Sequence, residues 1–172
     1  RPQMKLPRVI ANSWVEVAQQ LSRSPILSYA SYCLDNCFLI DEDEEITLDN
    51  VGLINNFLGG VDEDWFGTVH VCIENAASSA IEACKRISQC DESSSEKEIL
   101  TLLNQIVKSM KKVNLIFSRM PEKCDPYIYY HRVRPFIFGT KDNPSLKQGL
   151  IYEGQFENKP QFFRGETGAQ SS

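Results

Sequence analysis

His70 follows Phe66 by four residues, so a helix would project an imidazole and a phenyl ring from one face. Neutral imidazole donates from one ring nitrogen and accepts at the other, which suits a hydrogen-bonding group or base beside an aromatic wall. A lone histidine on an apolar face is equally the ordinary pattern of a satisfied core residue, and spacing leaves both readings open. Tyr29, Tyr32 and Cys33 stand at i, i+3 and i+4 and would line a second wall, or simply pack. Tyr129, Tyr130, His131, Arg132 and Arg134 form an aromatic and basic cluster. The Arg134 guanidinium offers a bidentate fork, either to a ligand carboxylate or to a surface acid.

Metal chemistry has little support in the residue pattern. Cys33 and Cys37 are four apart, but no CxxC pair or HExxH run exists and only two histidines are present. The expectation is no metal ligand in this chain, with the six cysteines as reduced cytosolic thiols packed like small hydrophobes. No GxGxxG, P-loop or GxSxG motif supports nucleotide binding or a hydrolase elbow.

The elements that must position these residues read as helices. Apolar residues recur at helical spacing through most of the first 139 positions, without a convincing strand period, which predicts an all-α fold. Ser13 and Glu16 read as a capping box ahead of a face made by Trp14, Val17, Ala18 and Leu21. Ser24 and Pro25 read as the start of a helix running through Tyr29, Tyr32, Cys33 and Cys37, with the acidic run 41–45 as a solvated connection. Asp62, Glu63 and Asp64 favour a helix N-terminus, after which Phe66, Val69, Ile73, Ala77, Ala80, Ile81 and Cys84 keep one face apolar. Ser95 and Glu98 make a second capping box. From there Ile99, Leu102, Leu103, Ile106, Met110, Val113, Phe117 and Met120 carry a stripe to Pro121, predicting an antiparallel pair turning at 91–95. Residues 127–134 read as a short helix closed by Pro135.

Residues 140–172 carry Pro and Gly punctuation with no sustained period, yet hold Leu150, Ile151, Tyr152, Phe156, Phe162 and Phe163. They are expected to be an ordered, irregular covering segment. The chain opens at Arg1 rather than Met and closes on Gln170, Ser171 and Ser172, residues that suit the start of a further helix. A formal net charge of −5, from 18 Lys+Arg against 23 Asp+Glu, argues against nucleic acid or anionic membrane as the main partner. No apolar run approaches the roughly 20 residues of a spanning helix.

The chain resembles the indoleamine 2,3-dioxygenases, haem enzymes related to tryptophan 2,3-dioxygenase. The resemblance rests on Ser24-Pro25-Ile26-Leu27-Ser28-Tyr29-Ala30, on Phe66 through Glu74, and on Arg134 with Gly139 and Asn143-Pro144. It rests most specifically on Gly149-Leu150-Ile151-Tyr152-Glu153-Gly154 and the closing stretch from Gly165 to Ser172. It implies a helical haem-dioxygenase fold, of which residues 1–172 are one N-terminal portion: helical over 1–139, covering over 140–172. It implies haem b as cofactor and insertion of O2 across the indole C2–C3 bond of L-tryptophan or another indoleamine, giving an N-formylkynurenine-type product in a cytoplasmic enzyme. His70 takes the position that hydrogen-bonds the indole N–H and Phe66 the position that packs on the indole. The resemblance further implies that Tyr29, Tyr32, Cys33 and Tyr129 line the pocket, that Arg134 pairs with the substrate carboxylate, and that Thr167 and Gly168 match positions near a haem propionate, with Thr167 also near the substrate ammonium. The proximal haem histidine of the family lies in a later, C-terminal helical part, so that half is the implied partner of this chain. No flavin or nicotinamide is expected.

Overall fold

The computed structural model describes residues 3–91, 93–137 and 139–165. Their architecture is mainly helical, as the periodicity predicts, with five strands of two or three residues. The contacts gather into two compact units: one unites residues up to Tyr32 with those from Arg134 onward, and the other runs from Cys33 to Val133.

In the unit holding both ends, strand β1 (Lys5–Leu6) leads through Pro7 into helix α1 (Arg8–Gln20). Ser13 does not open this helix. Its hydroxyl donates to the Val9 carbonyl at 3.1 Å inside the helix, and the first turn is set by Pro7, whose carbonyl accepts from the Ala11 N–H at 2.9 Å. The buried face is Ala11, Val15 and Ala18, while Trp14, Val17 and Leu21 are exposed. α1 thus has two apolar faces, and the one carrying small side chains is buried against the sheet.

Ser24 and Pro25 do not start a helix either. The chain turns there and enters a five-residue π-helical turn, Ala30–Leu34, capped by Ser28, whose Oγ accepts from the Ser31 N–H at 3.1 Å. The covering segment holds more regular structure than its punctuation suggests. After the short helix α5 (Arg134–Ile137), strand β4 (Leu150–Tyr152) runs parallel to β1 with Lys5 opposite Ile151, and antiparallel to β5 (Pro160–Gln161) with Leu150 opposite Gln161. Tyr152, 2% exposed, donates its hydroxyl to the Pro25 carbonyl at 2.9 Å and packs edge-on to Trp14, Phe156 and Phe163. Pro135 is carried in the first turn of α5, where proline's missing N–H has no intrahelical partner to lose; it does not close a helix.

The second unit begins with a hairpin of strands β2 (Cys37–Leu39) and β3 (Val51–Leu53), in register Cys37 to Leu53. Cys37 is therefore a strand residue, not the last turn of a helix from Pro25. The acidic residues 41–45 form the exposed hairpin loop, tied by Asn50, whose side chain takes the Asp41 N–H and donates to the Asp41 and Glu45 carbonyls. Helix α2 (Val61–Ile87) starts after Gly60, whose φ of 109° only glycine adopts without strain.

Helix α3 (Glu96–Ser118) packs antiparallel to α2. Arg86 meets Glu98, Gln105 donates to Ser79, Ser109 to Ala76, and Trp65 to Arg119, so partners climb one helix as they descend the other. Ser95 holds the cap position, but its side chain makes no capping bond. Trp65, Val69, Ile73 and Cys124 form the core, with Phe66, Val113, Ile116, Met120 and Tyr129 against it. Only parts of the expected stripes are buried: Ile81 and Cys84 on α2 and Leu103, Met110 and Phe117 on α3 face outward. A 3-10 turn (Met120–Glu122) carries Pro121, then α4 (Pro126–Ile128) is capped by Asp125, and a π-helical turn spans Tyr129–Val133.

Candidate functional site

The first three turns of α2 carry the densest candidate chemistry. Residues 67–73 are all buried, so this stretch is enclosed around nearly its whole circumference. Enclosure needs a firm anchor at the helix start, and Glu63 supplies it. Its carboxylate is fully buried and accepts backbone N–H bonds from Phe57 at 2.6 Å, Leu58 at 3.1 Å and Gly59 at 3.0 Å, closing the loop onto the helix. Asp62 reaches across to accept the Asp125 N–H at 2.7 Å, tying the segment that leads to Tyr129 to the same helix end.

Phe66, His70 and Tyr129 come together on this frame. The Phe66 ring lies 4.1 Å from the His70 ring, tilted by 40°, and 4.2 Å from the Tyr129 ring, nearly parallel at 26°. His70 is buried while Phe66 and Tyr129 are half-buried, so the ladder presents an accessible aromatic edge. His70 Nδ1 is 2.8 Å from the Phe66 carbonyl oxygen. A carbonyl only accepts, so Nδ1 carries the proton and, in the neutral ring, Nε2 is the acceptor. Burial lowers the His70 pKa below its ordinary value, while the bond to the Phe66 carbonyl and the nearby Glu74 carboxylate oppose that shift. The group is therefore a neutral imidazole with a defined tautomer at pH 7.

Cys33 is completely buried, and burial first, then Glu74 and Cys37, pushes its pKa up to about 12. It is a protonated, unreactive thiol. Glu74 bears on both Cys33 and His70, a role not assigned from the sequence; its position one turn beyond His70 was the available signal. Local spacing accounts for Glu63 only as helix-dipole charge and does not show that it clamps residues 57–59. The hairpin also touches α2 at Gly67, where a Cβ would stand 2.5 Å from the Leu53 Cδ1, so glycine is what lets β3 approach the helix beside His70.

Tyr29, Tyr32 and Arg134 lie in the unit that holds the chain ends: Tyr29 half-buried, Tyr32 buried, and Arg134 exposed in the first turn of α5. Thr167 and Gly168 fall outside the described residues. Among the described residues no group of three or more His, Cys, Asp or Glu is placed to hold a metal ion. Cys33 is a thiol rather than a thiolate, and His131 is an exposed ring packed between Tyr127 and Tyr130 at 4.4 and 5.1 Å. Among the described residues no helix is long and apolar enough to cross a membrane.

Known proteins place this aromatic and imidazole wall in context. Residues 1–172 match the family model described as indoleamine 2,3-dioxygenase. The chain is 36% identical over 167 residues to indoleamine 2,3-dioxygenase 1 of Rattus norvegicus, covering 97% of this chain and 41% of the relative. It is 32% identical over 172 residues to indoleamine 2,3-dioxygenase 2 of Mus musculus, covering 100% and 42%. It is 28% identical over 173 residues to a protein of Fusarium equiseti named as a 6-hydroxytryptophan 2,3-dioxygenase, covering 99% and 43%. The chain thus spans about two fifths of the length of these relatives, and it belongs to the indoleamine 2,3-dioxygenase family.

Proposed function

We propose that this chain is the indole-holding, N-terminal portion of a haem-dependent dioxygenase that inserts both atoms of O2 across the C2–C3 bond of L-tryptophan or a related indoleamine, giving an N-formylkynurenine-type product. The observation that carries the reading is the stack of Phe66 on Tyr129 with the buried His70 ring beside it, whose Nδ1 lies 2.8 Å from the Phe66 carbonyl, so that Nε2 is the nitrogen an indole N–H would meet. The half-buried Phe66 and Tyr129 rings beside it offer the π surface that an indole stacks on. Family membership supports the reaction class.

In this reading Cys33, Tyr29 and Tyr32 would complete the apolar wall, and Arg134 would take the substrate carboxylate as a bidentate fork, the roles that the family resemblance assigns them together with Thr167 and Gly168. Haem would supply the activation of O2, and the residue that holds its iron would come from a C-terminal portion of the family's fold. The chain's own work is to bind and orient the indole ring, exclude water from it, and keep His70 neutral so that it accepts rather than repels the N–H. Both oxygen atoms end in the product, so the turnover consumes no external reductant.

The test uses the complete protein. A Soret band that shifts on reduction and CO exposure, with N-formylkynurenine formed from L-tryptophan, is expected. Absence of both leaves a non-catalytic helical binding domain as the reading. His70→Ala should lower turnover about 10- to 100-fold and blur discrimination against 1-methyltryptophan, which lacks the indole N–H; an unchanged rate and preference removes its assigned role. Arg134→Leu should raise KM for tryptophan about 10-fold more than for indoles without a carboxylate, and equal effects on both refute the clamp.

A further inference from the structure

Helix α3 carries more apolar surface than α2 covers. Leu102 and Ser109 face inward and are buried, with Val113 and Ile116 beside them. A second row, Leu100, Leu103, Val107, Met110 and Phe117, points elsewhere, with exposures of 51%, 45%, 51%, 52% and 55%. The spacing is three or four residues, with the polar Asn114 as the single gap, so the five side chains share one stripe about 26 Å long. Single exposed apolar residues need no explanation, but a continuous stripe of large ones at heptad spacing is the pattern of a helix seam.

The occupant is indicated by length. The region matched here is 41% of the rat relative and 42% of a mouse one, so most of such a protein is polypeptide outside these residues. In the relatives, a stripe patterned like a core on the matched region has the unmatched part, about three fifths of the polypeptide, available to cover it. The geometry points to the Leu100–Phe117 stripe of α3 as the docking surface for an amphipathic helix of the C-terminal portion, the part in which the proposed function places the haem anchor. That assignment rests on the proposed function only for the identity of the anchor, and the stripe stands without it.

Hydroxyl-radical footprinting tests this without any substitution. In the 172-residue chain Leu103, Met110 and Phe117 should oxidise at rates matching their exposure. In the complete protein they should be protected at least 5-fold, while exposed Tyr127 on α4 is unchanged. Equal rates in both overturn the proposal, and so does protection that appears only as protein concentration rises, which assigns the stripe to a second copy. A paired variant, Leu103→Glu with Met110→Glu, should cut haem content of the complete protein at least 5-fold with far-ultraviolet circular dichroism retained, whereas Thr101→Glu on the polar face should not. Haem loading and tryptophan oxidation alongside an unprotected stripe sink this docking surface and leave the function; protection with no Soret band does the reverse.

Discussion

Helices α2 and α3 form one antiparallel pair, yet they differ in how much of each is enclosed. Residues 67–73 of α2 are buried around the whole girth, with Trp65, Val69 and Ile73 in the core and Glu63 and His70 held as buried polar groups. α3, almost as long, buries Leu102 and Ser109 and leaves large apolar side chains at the surface. The difference teaches where precision resides. Buried polar groups tolerate only one hydrogen-bonding arrangement, so the enclosed helix is the one able to hold an imidazole in a defined tautomer. The open helix is a buttress with surface to spare.

The contrast breaks most visibly by truncation. Trp65, 4% exposed and donating to the Arg119 carbonyl at 3.0 Å, should cost about 3–5 kcal/mol when replaced by alanine. Leu115 on α3, 67% exposed, should cost less than about 0.5 kcal/mol for the same change. Urea denaturation of both variants checks the pair, and similar midpoints would erase the distinction. Glu63→Ala should cost about 3 kcal/mol by stranding three backbone donors, and Glu63→Gln about half of that because one acceptor oxygen remains. Equal losses for the two would show that the carboxylate does not clamp residues 57–59.

A smaller effect sharpens the picture beside His70. Gly67→Ala should cost about 1–2 kcal/mol by driving a methyl into Leu53, and Leu53→Ala in the same chain should recover most of it. Additive losses would place the strain elsewhere. The smallest effect is the pH response of His70. Burial holds its folded pKa below the ordinary 6.5, so the unfolded chain binds more protons in the window between the two values. Stability should therefore fall as pH drops through 6.5 and level off below the folded pKa. His70→Gln should remove that slope, measured as thermal midpoints between pH 7.5 and 5; an unaltered slope assigns it to other groups.

Much of the candidate site was legible because it is local. Phe66 and His70 share a helix face by spacing alone, and the acidic triplet at 62–64 marks the helix that carries them. Tyr129 stacking on Phe66 was not legible from spacing, since the two are far apart in the chain and meet only through the fold. The misread faces share a cause. Trp14, Val17 and Leu21 on α1, and Leu103, Met110 and Phe117 on α3, have the periodicity of core residues, but periodicity gives the existence of an apolar face and not its partner. Where a helix has two such faces, small residues such as Ala11 and Ala18 win the close contact.

Helix existence, the turn at 91–95 and the Phe66–His70 pair followed from types and spacings within a few turns of one another. The parallel pairing of β1 with β4, the burial of Tyr152 between the two ends of the chain, and the proton's place on His70 Nδ1 needed the tertiary structure. Local patterns arise from bonds and periodicities that each short segment carries with it. A parallel strand partner or a tautomer is set by groups brought close only once the chain has folded, and no window of sequence contains both members of such a pair.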